Sequence, residues 1–433
     1  MTTMDVAHPT SVPSVPAAAS EPPDVGVARF HGSERRFLGL LVRGSLLLAV
    51  TLGIYRFWLA TDVRRFLWGN TEIAGDYLEY SGTARELLLG FLMALALLVP
   101  VYALFFLAAL DAGLVGTLSG VLAFLVLALL GQFAVYRARR YRLTRTIFRG
   151  VRLYQTGSAW RYAFTSALWW VLTIVTAGLA LPWGTAVLER YKLRHTHYGT
   201  LQGSFAGTGT GLFLRGIALW LIVVGPLLAG ALFALGAINW GALAAALTGS
   251  GDDLTKRLAD VGFELAAAAV IASSALGWSV LAAALLYPVY RAIVLRWWIS
   301  GLRLGAATAT SRLGTGEVYR VYLRFIGYSI LFGTLAVMLI GVALAAFGGL
   351  TPSFGKSATS EIAAAVLFIA TYVFIMLGYS VVYQATVTIR FWRLSFETTE
   401  IKGLRTLDGV EARGAAGSPF GEGLADALDV GGL

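Results

Sequence analysis

Arg140-Tyr141-Arg142-Leu143-Thr144-Arg145-Thr146-Ile147-Phe148-Arg149-Gly150-Val151-Arg152-Leu153-Tyr154-Gln155-Thr156-Gly157 closes one apolar stretch and opens the next. It begins with an arginine and an aromatic residue, runs through short β-prone pieces around the turn-prone Arg149-Gly150, and ends on glycine. The same punctuation recurs at Arg65-Phe66 to Gly82, Arg190-Tyr191 to Gly207, Arg296-Trp297 to Gly314 and Arg390-Phe391 to Gly409. In the first three copies along the chain the spacing from arginine to glycine is identical, and Thr71, Thr146 and Thr196 each stand six residues after the arginine. A pattern kept in register over such distances is an internal repeat. Because repeated polar modules belong in one aqueous compartment, the five copies govern the topology.

The intervening sequence belongs in a bilayer. With 57% hydrophobic residues, 13% charged residues and a mean hydropathy of +0.72, the chain is too apolar for a soluble domain. Six stretches, at about 87–110, 112–135, 212–238, 263–287, 321–348 and 362–389, are long enough to span it. They come in consecutive pairs, each leaving one repeat and returning to the next. Two further stretches do not fit this scheme. Phe37 to Ala60 has only Gly44 to Tyr55 free of charge, about 18 Å against a core of roughly 30 Å. Ala163 to Leu188, though long enough to span, would place the arginine-rich second and third repeats on opposite faces if it crossed once, against the positive-inside rule. Both are therefore read as re-entrant or interfacial broken helix segments. Thr51-Leu52-Gly53 and Thr176-Ala177-Gly178 stand in corresponding places, and Gly53, Gly178 and Pro182 are the candidate break points.

On this layout all of the 34 basic residues except Lys256, Arg257 and Lys356 lie on the repeat side, which makes that side the cytoplasm. The fold class that follows is a mainly α membrane protein: about six transmembrane helices, two re-entrant broken segments and repeated short cytoplasmic β-hairpins. The expected organisation is a disordered tail over 1–28, a repeat-built membrane domain over 29–409 and a second disordered tail over 410–433. Both termini are expected in the cytoplasm. A lone two-stranded hairpin is marginal in water, so the hairpins are expected to pair edge to edge or to pack on the helices beside them.

Phe30-His31-Gly32, Thr51-Leu52-Gly53-Ile54-Tyr55-Arg56-Phe57-Trp58, Arg64-Arg65-Phe66-Leu67, Asn70-Thr71 and Tyr80-Ser81-Gly82-Thr83 resemble the YjgN-like family of bacterial inner-membrane proteins. Weaker echoes are Leu181-Pro182-Trp183 with Glu189-Arg190-Tyr191, and Arg140 to Thr146. The resemblance covers most of residues 30–400. It implies a bacterial inner-membrane location and this architecture, and no reaction, because the family is defined by a domain of unknown function. Thr200 stands where the first repeat has Gly75, so the third hairpin lacks a glycine at that turn position.

The repeated arginine and aromatic pair falls where a helix leaves the membrane, and there it can anchor the helix, arginine to lipid phosphate and ring in the headgroup layer. The functional alternative is that Arg65, Arg140, Arg190, Arg296 and Arg390, with Arg142 and Arg145 of the most basic repeat, bind an anion or anionic headgroup. Acids at Asp62, Glu72, Asp76, Glu79 and Glu86 make the first repeat the expected ion-pair partner of the second. His195 and His197 flank Thr196 without a third ligand, so no metal site or cofactor is expected. Gly207-Thr208-Gly209-Thr210-Gly211 lacks a lysine in phosphate-loop register and suits a helix cap instead. No cysteine is present and no catalytic constellation emerges, so an enzyme is not expected.

The leading functional expectation is a non-enzymatic envelope scaffold or anionic-lipid-associated protein. Its partners are membrane lipids, with a protein partner or a second copy open and nucleic acid not expected. The alternative is a transporter or channel for a small or lipidic solute, although ionisable residues inside the six stretches are few and near their ends.

Overall fold

The computed structural model describes residues 25–111, 113–248, 262–354 and 358–413. The outer parts of both tails lie outside these residues, as do Lys256, Arg257 and Lys356 of the charge layout. Ten short strands carry the repeats: β1 (Val25–Phe30), β2 (Thr71–Ile73), β3 (Asp76–Tyr80), β4 (Thr146–Phe148), β5 (Val151–Gln155), β6 (Thr196–Tyr198), β7 (Leu201–Phe205), β8 (Leu302–Leu304), β9 (Ala307–Ser311) and β10 (Thr399–Lys402). They form a closed antiparallel barrel in chain order, with β10 returning to β1. Edge-to-edge pairing of the hairpins is thus what removes their exposed edges.

Four of the five repeats are two-residue hairpins, with Ile73 opposite Asp76, Phe148 opposite Val151, Tyr198 opposite Leu201 and Leu304 opposite Ala307. Ala74-Gly75 and Arg149-Gly150 take positive φ at both turn residues, the geometry that matches strand twist. At Gly199-Thr200 the glycine moves to the first turn position, with φ +53°, so Thr200 does not prevent the turn.

The fifth expected hairpin does not form. Its single strand β10 pairs instead with β1, Val25 opposite Lys402 and Val27 opposite Glu400. Strand β1 thus includes Val25–Ala28 of the segment read as tail, and Ala28 and Phe30 are buried there. The fold also extends past Gly409. Gly403, at φ +79°, starts a short 3-10 turn, Leu404–Leu407, that packs Leu404 and Leu407 on Phe148 and Tyr198. Val410 joins the same cluster. The C-terminal segment thus plugs the turn end of the barrel, and Arg149 fastens it by bridging Asp76 and Asp408 at 2.6 Å each.

Helices fill the connections at the other end. They are α1 (Glu34–Val50), α2 (Arg56–Gly69), α3 (Ala84–Ala109), α4 (Leu114–Thr144), α5 (Ala159–Val175), α6 (Leu181–Arg194), α7 (Gly209–Gly236), the short α8 (Trp240–Thr248), α9 (Gly262–Gly301), α10 (Thr315–Phe354) and α11 (Ala358–Tyr383). A π-helical turn, Gln384–Thr388, then leads into α12 (Ile389–Glu397). The six helices long and apolar enough to cross a membrane are Ala84–Ala109, Leu114–Thr144, Gly209–Gly236, Gly262–Gly301, Thr315–Val342 and Ile362–Glu397. They are the six stretches expected from the sequence. Neighbouring strands are antiparallel, so the helices joining them must leave and re-enter at one end of the barrel.

The two short connections are broken helix pairs that turn back. At their tips Leu52 and Gly53 have φ +49° and +96°, and Ala177 and Gly178 have φ +48° and +92°. In both tips a threonine hydroxyl, Thr51 or Thr176, donates to a carbonyl one turn back at 2.7 Å. It also accepts the amide of Tyr55 or Ala180 at 3.0 Å. Pro182 is not a break; it sits in the first turn of α6, where its missing N–H costs nothing. Helices pack on their neighbours in chain order, and α11 packs on α1 to close the ring. Seventeen residues of α5 rise only about 26 Å at 1.5 Å per residue, so the ring is interrupted above each short pair.

Candidate functional site: the mouth of the barrel

Where the returning helices α2, α4, α6, α9 and α12 run into β2, β4, β6, β8 and β10, two rings of side chains meet. The outer ring lies six residues before each strand start and is arginine throughout: Arg65, Arg140, Arg190, Arg296 and Arg393. Arg65 Nη2 donates to the Gly82 carbonyl at 3.0 Å, Arg190 Nη2 to Gly207 at 3.4 Å and Arg393 Nη2 to Gly32 at 2.8 Å. Arg296 Nη2 reaches the Thr315 hydroxyl beside Gly314 at 3.5 Å. Arg65, Arg190 and Arg393 thus tie a returning helix to the glycine before a departing one, and Arg296 ties to the threonine beside that glycine. Arg390 is not the fifth member of this ring; it pairs with Glu34 at 2.7 Å, beside Arg393 at 3.3 Å.

The glycines precede serine or threonine helix caps. Thr83, Ser158 and Thr208 accept the amides of Glu86, Arg161 and Gly211. The outer arginines therefore stand as a belt around the barrel rim, one per module, and do not gather at its axis. Arg145 is also held, donating to Glu86 Oε1 at 3.0 Å while the Tyr141 hydroxyl donates to Oε2 at 2.8 Å. With Arg149–Asp76, this is the pairing of the basic second repeat with the acidic first.

The inner ring stands one residue earlier, about 100° around each helix. It reads Arg64, Arg139, Glu189, Leu295 and Trp392. Four of these side chains are polar or aromatic, whereas Leu295 packs against the apolar cluster of Ala292, Leu313 and Val318. Arg64 Nη1 donates to the Tyr80 hydroxyl at 3.2 Å. Trp392 Nε1 donates to Thr71 Oγ1 at 2.8 Å, Trp68 Nε1 to Thr146 Oγ1 at 3.0 Å and Arg139 Nη2 to Thr196 Oγ1 at 3.4 Å. Those threonines explain the register seen in the sequence. Each is the first residue of its strand, faces inward, and donates to the carbonyl four residues back. Thr399, six residues after Arg393, does the same for the last module.

The mouth is lopsided. Trp68 and Trp392 meet as tilted rings with centroids 4.6 Å apart, as do Trp392 and Phe396 at 5.1 Å, so one half is aromatic. The other half carries Arg139 and Lys192 near Glu189, which accepts from Lys192 Nζ at 2.5 Å and from Trp298 Nε1 at 3.0 Å, with Arg142 beside Lys192. Burial pulls the Lys192 ammonium below the usual lysine range; Glu189 opposes that pull, and Arg139 and Arg142 add to it. Arg139 Nε is enclosed with no hydrogen-bond partner. Beneath it, Gln155 is paired across the sheet with Thr196 and is 2% exposed. Its side-chain amide lies toward the Tyr136 hydroxyl, which donates instead to the Thr156 carbonyl, and neither amide atom has a partner in hydrogen-bond geometry.

The description of a bacterial protein family of unknown function, DUF898, matches residues 27–277 and 264–425. The chain belongs to this family. Inner membrane protein YjgN of Escherichia coli O157:H7 is 27% identical over 171 residues, which cover 39% of this chain and 39% of that protein. Inner membrane protein YjgN of Escherichia coli strain K12 is 29% identical over 167 residues, 38% of each. The chain thus spans about two-fifths of the length of the curated relatives it matches. No solved structure matches it.

In this DUF898 chain the two histidines singled out by the sequence do not converge. His195 ends α6, with Nδ1 2.7 Å from the Tyr191 carbonyl, whereas His197 lies on β6, stacked on Tyr154 at 5.0 Å. Among the described residues no group of three His, Cys, Asp or Glu side chains is placed to hold a metal. The sequence reading missed the inner ring of the DUF898 barrel. The doublets Arg64-Arg65, Arg139-Arg140 and Glu189-Arg190 were its signal, since adjacent helix residues serve different faces.

Proposed function

We propose that this DUF898 chain is a non-enzymatic, lipid-associated protein of the bacterial inner membrane that holds an anionic headgroup in the basic half of its barrel mouth. The observation that carries this reading is the meeting of Arg139 and Lys192 about one carboxylate, with Arg142 beside Lys192, above the enclosed Gln155 amide. Unpaired buried polar groups are costly, and a phosphate brings the acceptors that such donors need. The inner-membrane location follows the printed name of its YjgN relatives. The plug of Leu404 and Leu407 supports association over conduction, because it fills the end through which an axial route would have to leave.

The test is native mass spectrometry of the full-length protein with phosphatidylglycerol or phosphatidylcholine across a salt series. Preferential retention of phosphatidylglycerol that fades with salt is expected. Combining Arg139→Gln with Lys192→Gln should lower that retention roughly tenfold or more, as the loss of charge-assisted hydrogen bonds implies. Equal retention of phosphatidylcholine by the unmutated protein would sink the reading.

The charge asymmetry supports a cytoplasmic barrel with both termini on that side. As the chain has no cysteine, single reporters are available without background. Thr200→Cys, at a hairpin turn, should react only from the cytoplasm, and Asn239→Cys, beyond the far end of α7, only from outside. Labelling of both from one side would refute the topology.

A further inference from the structure

Beside the mouth, the second broken helix pair forms one wall of an apolar groove of about 290 Å³ whose other walls are α7 and α9. Pro182, Leu212, Gly216, Trp220, Tyr290 and Val294 line it. The tip of the pair is pinned to α7 by Trp220 Nε1, which donates to the Ala177 carbonyl at 2.8 Å. Both α7 and α9 are long and apolar enough to cross a membrane, so the groove is walled by candidate spans. Its lining is almost entirely apolar, the surface an acyl chain requires.

Its foot is polar and belongs to the mouth. Thr185 lines the groove on α6, and Glu189 follows one turn nearer the barrel on the same face. Val294 lines it on α9, and Trp298 follows in the same way. The two faces join where Trp298 Nε1 donates to Glu189 Oε2. From there Glu189 leads to Lys192, and Arg139 stands over Thr196 and Gln155. An apolar slot thus runs into a net-basic polar site that contains enclosed, unpartnered hydrogen-bonding atoms.

We infer that this site takes one phospholipid of net negative charge, its headgroup at Arg139, Gln155 and Lys192 and one acyl chain in the groove beside α6, in preference to zwitterionic phosphatidylcholine. The inference rests on the headgroup reading above and extends it from an anion to a lipid. The lipid enters sideways from the bilayer over the tip at Gly178, where the helix ring is interrupted by the short α5 and α6. It does not pass along the barrel axis.

The test uses the full-length protein in detergent and three probes: phosphatidylglycerol, soluble glycerol phosphate and phosphatidylcholine. Native mass spectrometry reads lipid retention, and thermal shift reads glycerol phosphate binding. Gly216→Leu fills the groove, since nothing stands within 4 Å of a side chain added at Gly216. It should lower phosphatidylglycerol retention about tenfold while leaving the glycerol phosphate shift unchanged. Thr185→Leu fills it from the opposite wall and should do the same, which separates occupancy from any folding defect in α7. Arg139→Gln should lower both signals. Unchanged phosphatidylglycerol retention in both groove variants overturns the groove but not the headgroup reading. Retention that is insensitive to salt and to Arg139→Gln, yet lost in the groove variants, overturns the headgroup reading and leaves the acyl groove standing.

Discussion

Deletion of residues 1–30 is expected to abolish cooperative unfolding and monodispersity, whereas deletion of residues 1–24 leaves both close to those of the full chain. The larger deletion removes β1, whose ladders to β10 and β2 close the barrel. It also removes Ala28 and Phe30, which are 0% and 5% exposed. Loss of a buried phenylalanine side chain alone costs about 3–5 kcal/mol, against a total stability of roughly 5–15 kcal/mol for a typical domain. Two unpaired strand edges are exposed as well. Size-exclusion chromatography and tryptophan-monitored thermal unfolding in one detergent would check this. A 1–30 deletion that melted like the full chain would show that the ring stands without its first strand.

The second large effect is expected at Glu86. It accepts from Arg145 and from the Tyr141 hydroxyl at once, and the Arg145 side chain is 7% exposed. Glu86→Ala strips the carboxylate from a buried guanidinium, a change that costs about 3–5 kcal/mol because the remaining charge stays desolvated. Replacing both partners, as in Glu86→Leu with Arg145→Met, should recover much of that loss, since no buried charge is then left behind. Thermal or denaturant unfolding of the two variants, compared at one detergent concentration, decides the matter. A double variant no more stable than Glu86→Ala would mean that the pair is not coupled.

The spans, the broken helix pairs and the hairpins were legible because each is written locally. Charge-free length marks a span, Leu52-Gly53 and Ala177-Gly178 mark a reversal, and Arg149-Gly150 marks a turn. Closure was not legible. The partner of β10 lies at the other end of the chain, and the glycine that receives Arg393 is Gly32, so scanning forward from Arg390 found Gly409 instead. The π-helical turn at Gln384–Thr388 precedes this last module, and Arg393 carries the register that leads to Thr399.

The site was legible only in part. Basic residues at the helix ends were evident, but which of two adjacent arginines faces the barrel depends on helix rotation, and the composition of a doublet does not give that. Arg142 and Arg145 illustrate the point. Both were chosen for density of charge, yet Arg145 is committed to Glu86, while Arg142 stands beside Lys192 in the mouth. Gln155 and Lys192 carried no repeated signal at all. The register of β5 on β6 brings Gln155 beside Thr196 and so under Arg139, and Lys192 meets Arg139 from α6.

The pairing of Val25–Phe30 with Thr399–Lys402 has a consequence for biosynthesis. Until the last strand emerges from the ribosome, nearly four hundred residues after the first, the growing barrel is an open ribbon with two reactive borders. During that interval a second nascent copy offers the same border, and two chains that exchange their terminal strands would make an interlocked double ring with the same ladder. Slow translation or high expression should therefore favour swapped dimers that, once inserted, have no easy path back to the monomer.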